Sequence, residues 1–248
     1  MNILVTGCAG YIGQHLLDAL MKTEHTVWGI DVKPCPDVEP HFFSLGYFDQ
    51  EEPAQDIDVI VHLAAWKDVS ESHTNPLNYY HNNVARTVNM LKQYKSFVIF
   101  ASSCSVYGNT PDYVDETSPL KPESPYAQSK AMVEQILKDR GNAVSLRLAN
   151  VHDNEMKTNQ DTSVFVKQHG WTFRRYKGVV RSFVNVRNVV KTIMHFIDNK
   201  SLITTLNVVD EVKPLKEVLF EHLEAVPCPK EYPKYSKIRS LHYKPNML

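Results

Sequence analysis

The chain has 248 residues, 43% of them hydrophobic and 22% charged, with a formal net charge of −1. That length supports one large domain, or a domain with a small appendage, around a sizeable core. Near-neutrality excludes the basic field that nucleic acid or an anionic membrane would need, and no apolar run approaches the ~18 residues of a membrane span. Cys8, Cys35, Cys104 and Cys228 are scattered without a C-x-x-C pair. Reduced thiols in a cytoplasmic protein are expected, with no leader, metal site or nucleic-acid partner.

The chain opens on Asn2 to Thr6, NILVT, a short apolar run without alternation, as a strand buried on both faces would be. It runs into TGCAGYIG, Thr6 to Gly13, and then an apolar helix through Ile12, Leu16, Ala19 and Leu20. Strand, glycine turn and helix start together suit a pyrophosphate: glycines let the backbone approach, and a helix N-terminus supplies N–H groups and positive dipole. A second strand, Thr26 to Ile30, ends on Asp31, 18 residues after Gly13. An acid there accepts from an adenosine ribose 2′-hydroxyl and repels a 2′-phosphate, which favours NAD, with Lys33 nearby pulling the other way.

Strands follow at Asp58 to Leu63 and Phe97 to Ser102, separated by a helix that Asn75 and Pro76 start. Leu77, Tyr80, Val84, Val88 and Leu91 give that helix one apolar face. A further strand is Ala143 to Leu148. The fold class is therefore α/β, a Rossmann-type doubly wound parallel sheet whose ligands lie at the carboxyl ends of the strands. Residues 1–150 form the dinucleotide-binding domain, with 179–210 partly returning to it. Residues 151–178 and 211–248 make a small substrate-binding α/β part.

Between the last two strands lies SPYAQSKAMVEQIL, Ser124 to Leu137. Ser124 is an N-cap and Pro125 takes the first helical position, so Tyr126 and Lys130 share one helix face. A phenol facing an ammonium is a candidate base, since positive charge favours phenolate and pulls the pKa down. Neutrality needs a drop of roughly 3 units from about 10, which calls for a second cation. The same spacing also occurs on solvated helices, so the pair by itself does not decide between structure and chemistry. The helix follows the Ser102–Ser103 strand end by only a loop, so Ser103, Tyr126 and Lys130 can meet in one crevice.

From Thr162 to Ile197 there is no acidic residue, whereas Lys167, Arg174, Arg175, Lys177, Arg181, Arg187 and Lys191 are basic. Such a patch suits a phosphorylated ligand, and equally a solvated face balanced by acids elsewhere. A helix over Val186 to Ile197, a strand at Leu206 to Val209 and a helix from Pro214 to about Leu223 follow. The proline-rich tail from Pro227 is expected to be extended and docked.

With TGCAGYIG, HLAAWKDVSES, NNV, SSCSVYG and SPYAQSK in order, residues 1 to about 210 resemble the extended short-chain dehydrogenase/reductase family. Within it, the chain is most similar to nucleotide-sugar 4-epimerases of the UDP-glucose/UDP-galactose type. The resemblance implies NAD, a nucleotide-sugar substrate, a transient 4-keto sugar and a homodimer through the two long helices. It assigns catalysis to Tyr126 as acid/base, Lys130 on the nicotinamide ribose and Ser103 on the sugar hydroxyl, with the oxidised nicotinamide as the second cation. Cofactor contacts fall to Gly7, Gly10, Tyr11, Ile12, Gly13, Asp31, Leu63, Ala64, Ala65, Lys67 and Asn82, and substrate contacts to Asn150 and Arg181.

Some positions depart from the family. Where relatives grip adenine with an Asp and an apolar residue, this chain has Tyr47 and Phe48, so stacking or edge contacts replace the acid. Only 30 residues separate Asn150 from Arg181, which shortens the substrate cover and points to a different or smaller nucleotide sugar. The second diphosphate arginine has no clear match beyond Arg239. Dehydration is disfavoured because Cys104 and Ser105, rather than an Asp-Glu pair, follow Ser103; Cys104 reads as a packing residue. Another nucleotide-sugar oxidoreductase of the family, or an idle NAD-binding sensor, are the alternatives, and the latter is weakened by retention of Tyr126 and Lys130.

Overall fold

Strands rich in valine, isoleucine and phenylalanine without polar alternation have two apolar faces, and only a sheet covered by helices on both sides buries them. The computed structural model describes residues 1–49, 56–153, 180–200, 204–214 and 236–240. The first half contains β1 (Asn2–Thr6), α1 (Tyr11–Leu20), β2 (Thr26–Asp31), β3 (Phe42–Leu45), β4 (Val59–His62), α2 (Val69–Thr74) and α3 (Pro76–Tyr80). A π-helical turn (His81–Ala85), α4 (Arg86–Gln93), β5 (Phe97–Ser103), a 3₁₀ turn (Cys104–Tyr107), β6 (Thr110–Val114), α5 (Pro125–Arg140) and β7 (Ala143–Leu148) follow. The remainder is β8 (Asn150–His152), β9 (Val180–Asn185), α6 (Val186–Asp198), β10 (Thr205–Val208), β11 (Glu211–Pro214) and β12 (Ser236–Ile238).

Seven strands pair in the order β10-β7-β5-β4-β1-β2-β3, every neighbouring pair parallel. From β1 the chain moves outward to β2 and β3, then returns to lay β4 on the other side of β1. Strand order reverses between β1 and β4, and the crevice beyond their carboxyl ends is where such a sheet holds its ligand. The strands divide their side chains by parity. Ile3, Val5, Val59, Val61, Phe97 and Ile99 pack with Leu16 and Leu20 of α1 and with Val189, Ile193 and Phe196 of α6. The alternate residues Leu4, Ile60, Val98 and Phe100 pack with Met90 of α4 and with Val133 and Leu137 of α5. Each such side chain contributes about 1.5–3 kcal/mol by leaving water.

Two smaller sheets adjoin. β8 and β9 run parallel, β11 is antiparallel to β9, and β12 pairs with β6. Residues 186–198 and 205–208 thus return to the main sheet, whereas 150–152, 180–185 and 211–214 belong to the small one. These short strands carry too few apolar positions to show a period. The helix expected to start at Pro214 instead has strand at its first residue, and the rest of it lies outside the described residues, as do Lys167, Arg174, Arg175, Lys177 and Cys228. Among the described residues, no helix is long and apolar enough to cross a membrane.

The expected apolar face of the helix after Asn75 is only in part its buried one: Val84 and Leu91 pack half-buried against the core. Leu77 is 78% exposed, while Tyr79, Asn82, Asn83, Thr87 and Met90 are buried. The cause is the π turn, whose extra residue per turn shifts the register and brings two successive asparagines inward.

Candidate active site

The glycine turn after β1 is packed so tightly that side chains would not fit. Gly7 has φ +73°, and a Cβ there would lie 2.7 Å from the Ala64 nitrogen. A Cβ on Gly13 would lie 2.4 Å from the Gly7 carbonyl oxygen. Helix α1 begins at Tyr11 with Gly10 as N-cap and no capping side chain, leaving its first N–H groups for a ligand. At the end of β2, the Asp31 carboxylate accepts from Ala9 N–H (3.0 Å) and Lys33 N–H (3.1 Å), so the acid is fastened beside the turn. The Tyr11 hydroxyl is buried with no hydrogen-bond partner among the described residues, and burial next to the Asp153 charge pushes it up to about 12. A bare helix N-terminus, a cradle that excludes Cβ atoms and a fixed carboxylate fit the pyrophosphate and ribose of NAD. Leu63 and Ala64 run alongside, with their N–H groups on the Thr6 carbonyl (3.1 Å) and hydroxyl (3.3 Å). Ala65 follows half-buried and Lys67 exposed.

Across the crevice, β5 ends at Ser103 and α5 begins two residues past Glu123. The Ser124 hydroxyl accepts from Ala127 N–H (3.1 Å), and Pro125 takes the first helical position. This sets Tyr126 in the first turn, where the Ser103 hydroxyl is near enough to favour its phenolate. The Ser103 oxygen accepts from Ser105 N–H (3.2 Å). One turn on, Lys130 is 3% exposed, donates to the Ala101 carbonyl at 2.7 Å and lies 4.7 Å above the Phe100 ring. The three residues expected to act together are therefore contiguous.

Their electrostatics differ from expectation. Burial pushes the Tyr126 phenol up to about 12, and the Ser103 hydroxyl only partly offsets it. Lys130, 6.0 Å from the Tyr126 ring centre, is itself driven down to about 7 by burial, with the Glu134 charge acting the other way. Desolvation penalises both charged forms and outweighs their attraction, so the pair alone does not produce phenolate. A further positive charge beside the phenol is required.

The helix is held by buried polar contacts that the sequence pattern did not reveal. Glu134 accepts from Arg147 Nε (3.1 Å to each oxygen) and Nη2 (2.7 Å), and from the Ser102 hydroxyl. Arg147 Nη1 donates to the Tyr107 hydroxyl (2.7 Å), which donates to Asn207 (2.8 Å). The one legible signal was an arginine inside the apolar strand AVSLRL, a charge that needs a partner. From the other side, Asn83 joins the Trp66 backbone (2.9 and 3.0 Å) to Ser129 of α5 (3.0 Å), and Tyr80 bonds Gln128. Asn82, 7% exposed, sits beside it and donates to Asn83 (3.0 Å).

Arg181 on β9 lies within electrostatic reach of Cys104, which acts on Tyr126 as well. Burial lowers its pKa, and Cys104 and Glu123 oppose the shift. Asn150 donates to the Ser182 carbonyl (2.8 Å), which fixes its amide beside that strand. Arg239 is committed to Asp115 (3.0 Å). Phe48 turns into the core, 4% exposed with its ring 4.8 Å from His62, while Tyr47 faces outward. Phe48 is thereby withdrawn into the core, and of the two aromatic rings only that of Tyr47 is exposed.

A model of the NAD dependent epimerase/dehydratase family matches residues 3–208. The UDP-glucose 4-epimerase of Streptococcus mutans is 36% identical over 160 residues, covering 56% of this chain and 46% of that protein. The Bacillus subtilis UDP-glucose 4-epimerase is 33% identical over 166 residues, covering 56% and 48%. The chain thus spans about half the length of the curated relatives it matches. Among solved structures, Thermus thermophilus UDP-glucose 4-epimerase in complex with NAD superposes with a TM-score of 0.78 at 26% identity, covering 96% of this chain and 90% of that one. UDP-N-acetylglucosamine 4-epimerase of Methanobrevibacter ruminantium shares the fold, with a TM-score of 0.82 at 24% identity over 99% and 93% of the two chains.

Proposed function

Because the chain belongs to the NAD-dependent epimerase/dehydratase family, we propose that it interconverts nucleotide sugars at C4, as UDP-glucose 4-epimerases do. The observation that carries this reading is the Ser103–Tyr126–Lys130 cluster at the mouth of the crevice, opposite the glycine turn. Gly7 to Gly13 with α1 would hold the pyrophosphate of NAD, and Asp31 its adenosine ribose. When bound, NAD would supply a reversible hydride acceptor for the sugar carbon and, in its oxidised form, positive charge beside Tyr126.

The chain's own residues handle the proton. Tyr126 Oη takes it from the 4-hydroxyl and gives it back to the 4-keto oxygen. Ser103 donates toward the same oxygens, its hydroxyl oriented by the Ser105 N–H that it accepts. Lys130 positions the ribose and favours the phenolate as it gains charge. Arg181 and Asn150 would hold the nucleotide diphosphate while the sugar turns over. Cys104 and Ser105 supply no acid for dehydration, which favours epimerisation over that family reaction. The three described cysteines are free thiols, in keeping with a reducing cytoplasm. Leu77 of α3 and Met132 of α5 stay exposed where a second copy would pack.

The test is product-resolved turnover of UDP-galactose and related nucleotide sugars, with denaturation of the purified protein to release NAD. Tyr126→Phe keeps the packing and removes the oxygen that moves the proton, so a loss of about 10²–10⁴-fold in turnover is expected. Unchanged turnover in this variant would refute the assignment of the base. NAD release without turnover of any sugar would replace the epimerase reading with that of a dinucleotide sensor.

A further inference from the structure

A cavity of about 110 Å³ is lined by Tyr47, Trp66, Asn78, His81, Asn82 and Arg86. It lies at the adenosine end of the crevice. The Asp31 carbonyl accepts from Gly46 N–H (2.8 Å), so Tyr47 directly follows the residue fastened to the acid assigned to the ribose.

The walls of this cavity are planar groups. The Arg86 guanidinium lies 3.7 Å from the Tyr47 ring centre and is clamped by Asp49 at 2.6 Å. Trp66 is 38% exposed although its ring abuts Tyr79 edge-on at 5.6 Å, which presents a fixed apolar face. Rings and guanidinium planes of this kind hold a base by its faces.

Among the described residues that line the cavity, none is a carboxylate. Asp49 turns to Arg86 and Asn89 (3.3 Å). Besides the Tyr47 hydroxyl, the Trp66 indole N–H and the Arg86 guanidinium that Asp49 holds, the lining groups with hydrogen-bonding edges are the amides of Asn78 and Asn82 and the imidazole of His81. A carboxylate only accepts, so it selects a 6-amino group and rejects a 6-oxo group. An amide presents both an oxygen and N–H groups, and can satisfy either.

We propose that Trp66 and the Tyr47–Arg86 stack seat the purine of the dinucleotide by its faces, leaving the 6-position unselected, so that a hypoxanthine dinucleotide binds as well as NAD. The inference rests on the cofactor reading above.

Protein freed of nucleotide on charcoal would be titrated calorimetrically with NAD and with nicotinamide hypoxanthine dinucleotide. The expected result is a pair of Kd values within about threefold of each other. Trp66→Leu, at an exposed position with circular dichroism as a check on folding, should weaken both by roughly five- to a hundredfold. A hypoxanthine dinucleotide held more than about tenfold weaker than NAD overturns the inference and leaves the cofactor reading intact. Unchanged affinity of folded Trp66→Leu for both also overturns it. Binding of neither dinucleotide by the unaltered protein sinks the cofactor reading, and the inference with it.

Discussion

Glu134→Ala should be among the most damaging single changes in this chain outside the reacting groups. Glu134 and Arg147 have side chains only 6% and 7% exposed, joined by contacts of 2.7 to 3.1 Å. Removing the carboxylate strands a guanidinium where water does not reach, which costs about 3–5 kcal/mol. The Ser102 hydroxyl loses its acceptor as well, adding about 1 kcal/mol. The sum, roughly 4–6 kcal/mol, approaches the whole stability of a domain at the low end of about 5–15 kcal/mol. Urea unfolding followed by circular dichroism measures it, as a fall in the midpoint at constant slope. The companion variant Glu134→Leu with Arg147→Met removes both charges together and should recover most of the loss, because an apolar pair of similar volume is often neutral. A loss below about 1 kcal/mol in Glu134→Ala, or a double variant no more stable than the single one, would refute the claim that a stranded charge dominates.

Two other changes test different parts of the structure. His62 is buried between Thr6 (2.7 Å) and Thr87 (2.9 Å), and burial together with the Lys130 charge lowers its pKa from 6.5 to about 3. The unfolded chain therefore binds this proton more readily. The contribution is complete above the unfolded pKa and is lost as pH falls through the window toward 3, on the order of 4–5 kcal/mol in all. Imidazole NMR should show His62 neutral down to about pH 4, and a midpoint near its ordinary value would contradict the burial argument. Gly13→Ala would push a Cβ to 2.4 Å from the Gly7 oxygen and 2.6 Å from the Cys8 oxygen, so dinucleotide binding should be lost in calorimetry. Gly141→Ala, at φ +69° and ψ −177° with open space around it, should keep binding and lose about 1–3 kcal/mol in thermal unfolding. Equal behaviour of the two would mean that the turn is not the cradle proposed.

The main sheet was legible because its central strands carry runs of consecutive apolar residues, such as Ile3 to Val5, Val59 to Val61 and Phe97 to Ala101, and its helices begin with signals of their own, such as Ser124 with Pro125. The proximity of Ser103 to Tyr126 followed from chain order alone, since a short loop joins β5 to α5. The helix after Asn75 was read only in part at its buried face: Val84 and Leu91 pack on the core, but Leu77 does not, because a π turn leaves no periodic trace and its inward residues are asparagines that meet other polar groups. Phe48 illustrates the same limit. Sequence placed an aromatic pair near the adenosine end, but which ring faces the core depends on the packing of His62 and its neighbours.

The amino-acid sequence by itself determined the doubly wound sheet, the dinucleotide turn and the identity of the candidate proton-transfer group, since each rests on residues close together in the chain. Only the tertiary structure decided the direction in which the pKa of that group moves. Tyr126 and Lys130 are four residues apart at any exposure, yet burial reverses the expected shift of the phenol. Desolvation is a property of everything packed around a site, and no local pattern encodes it.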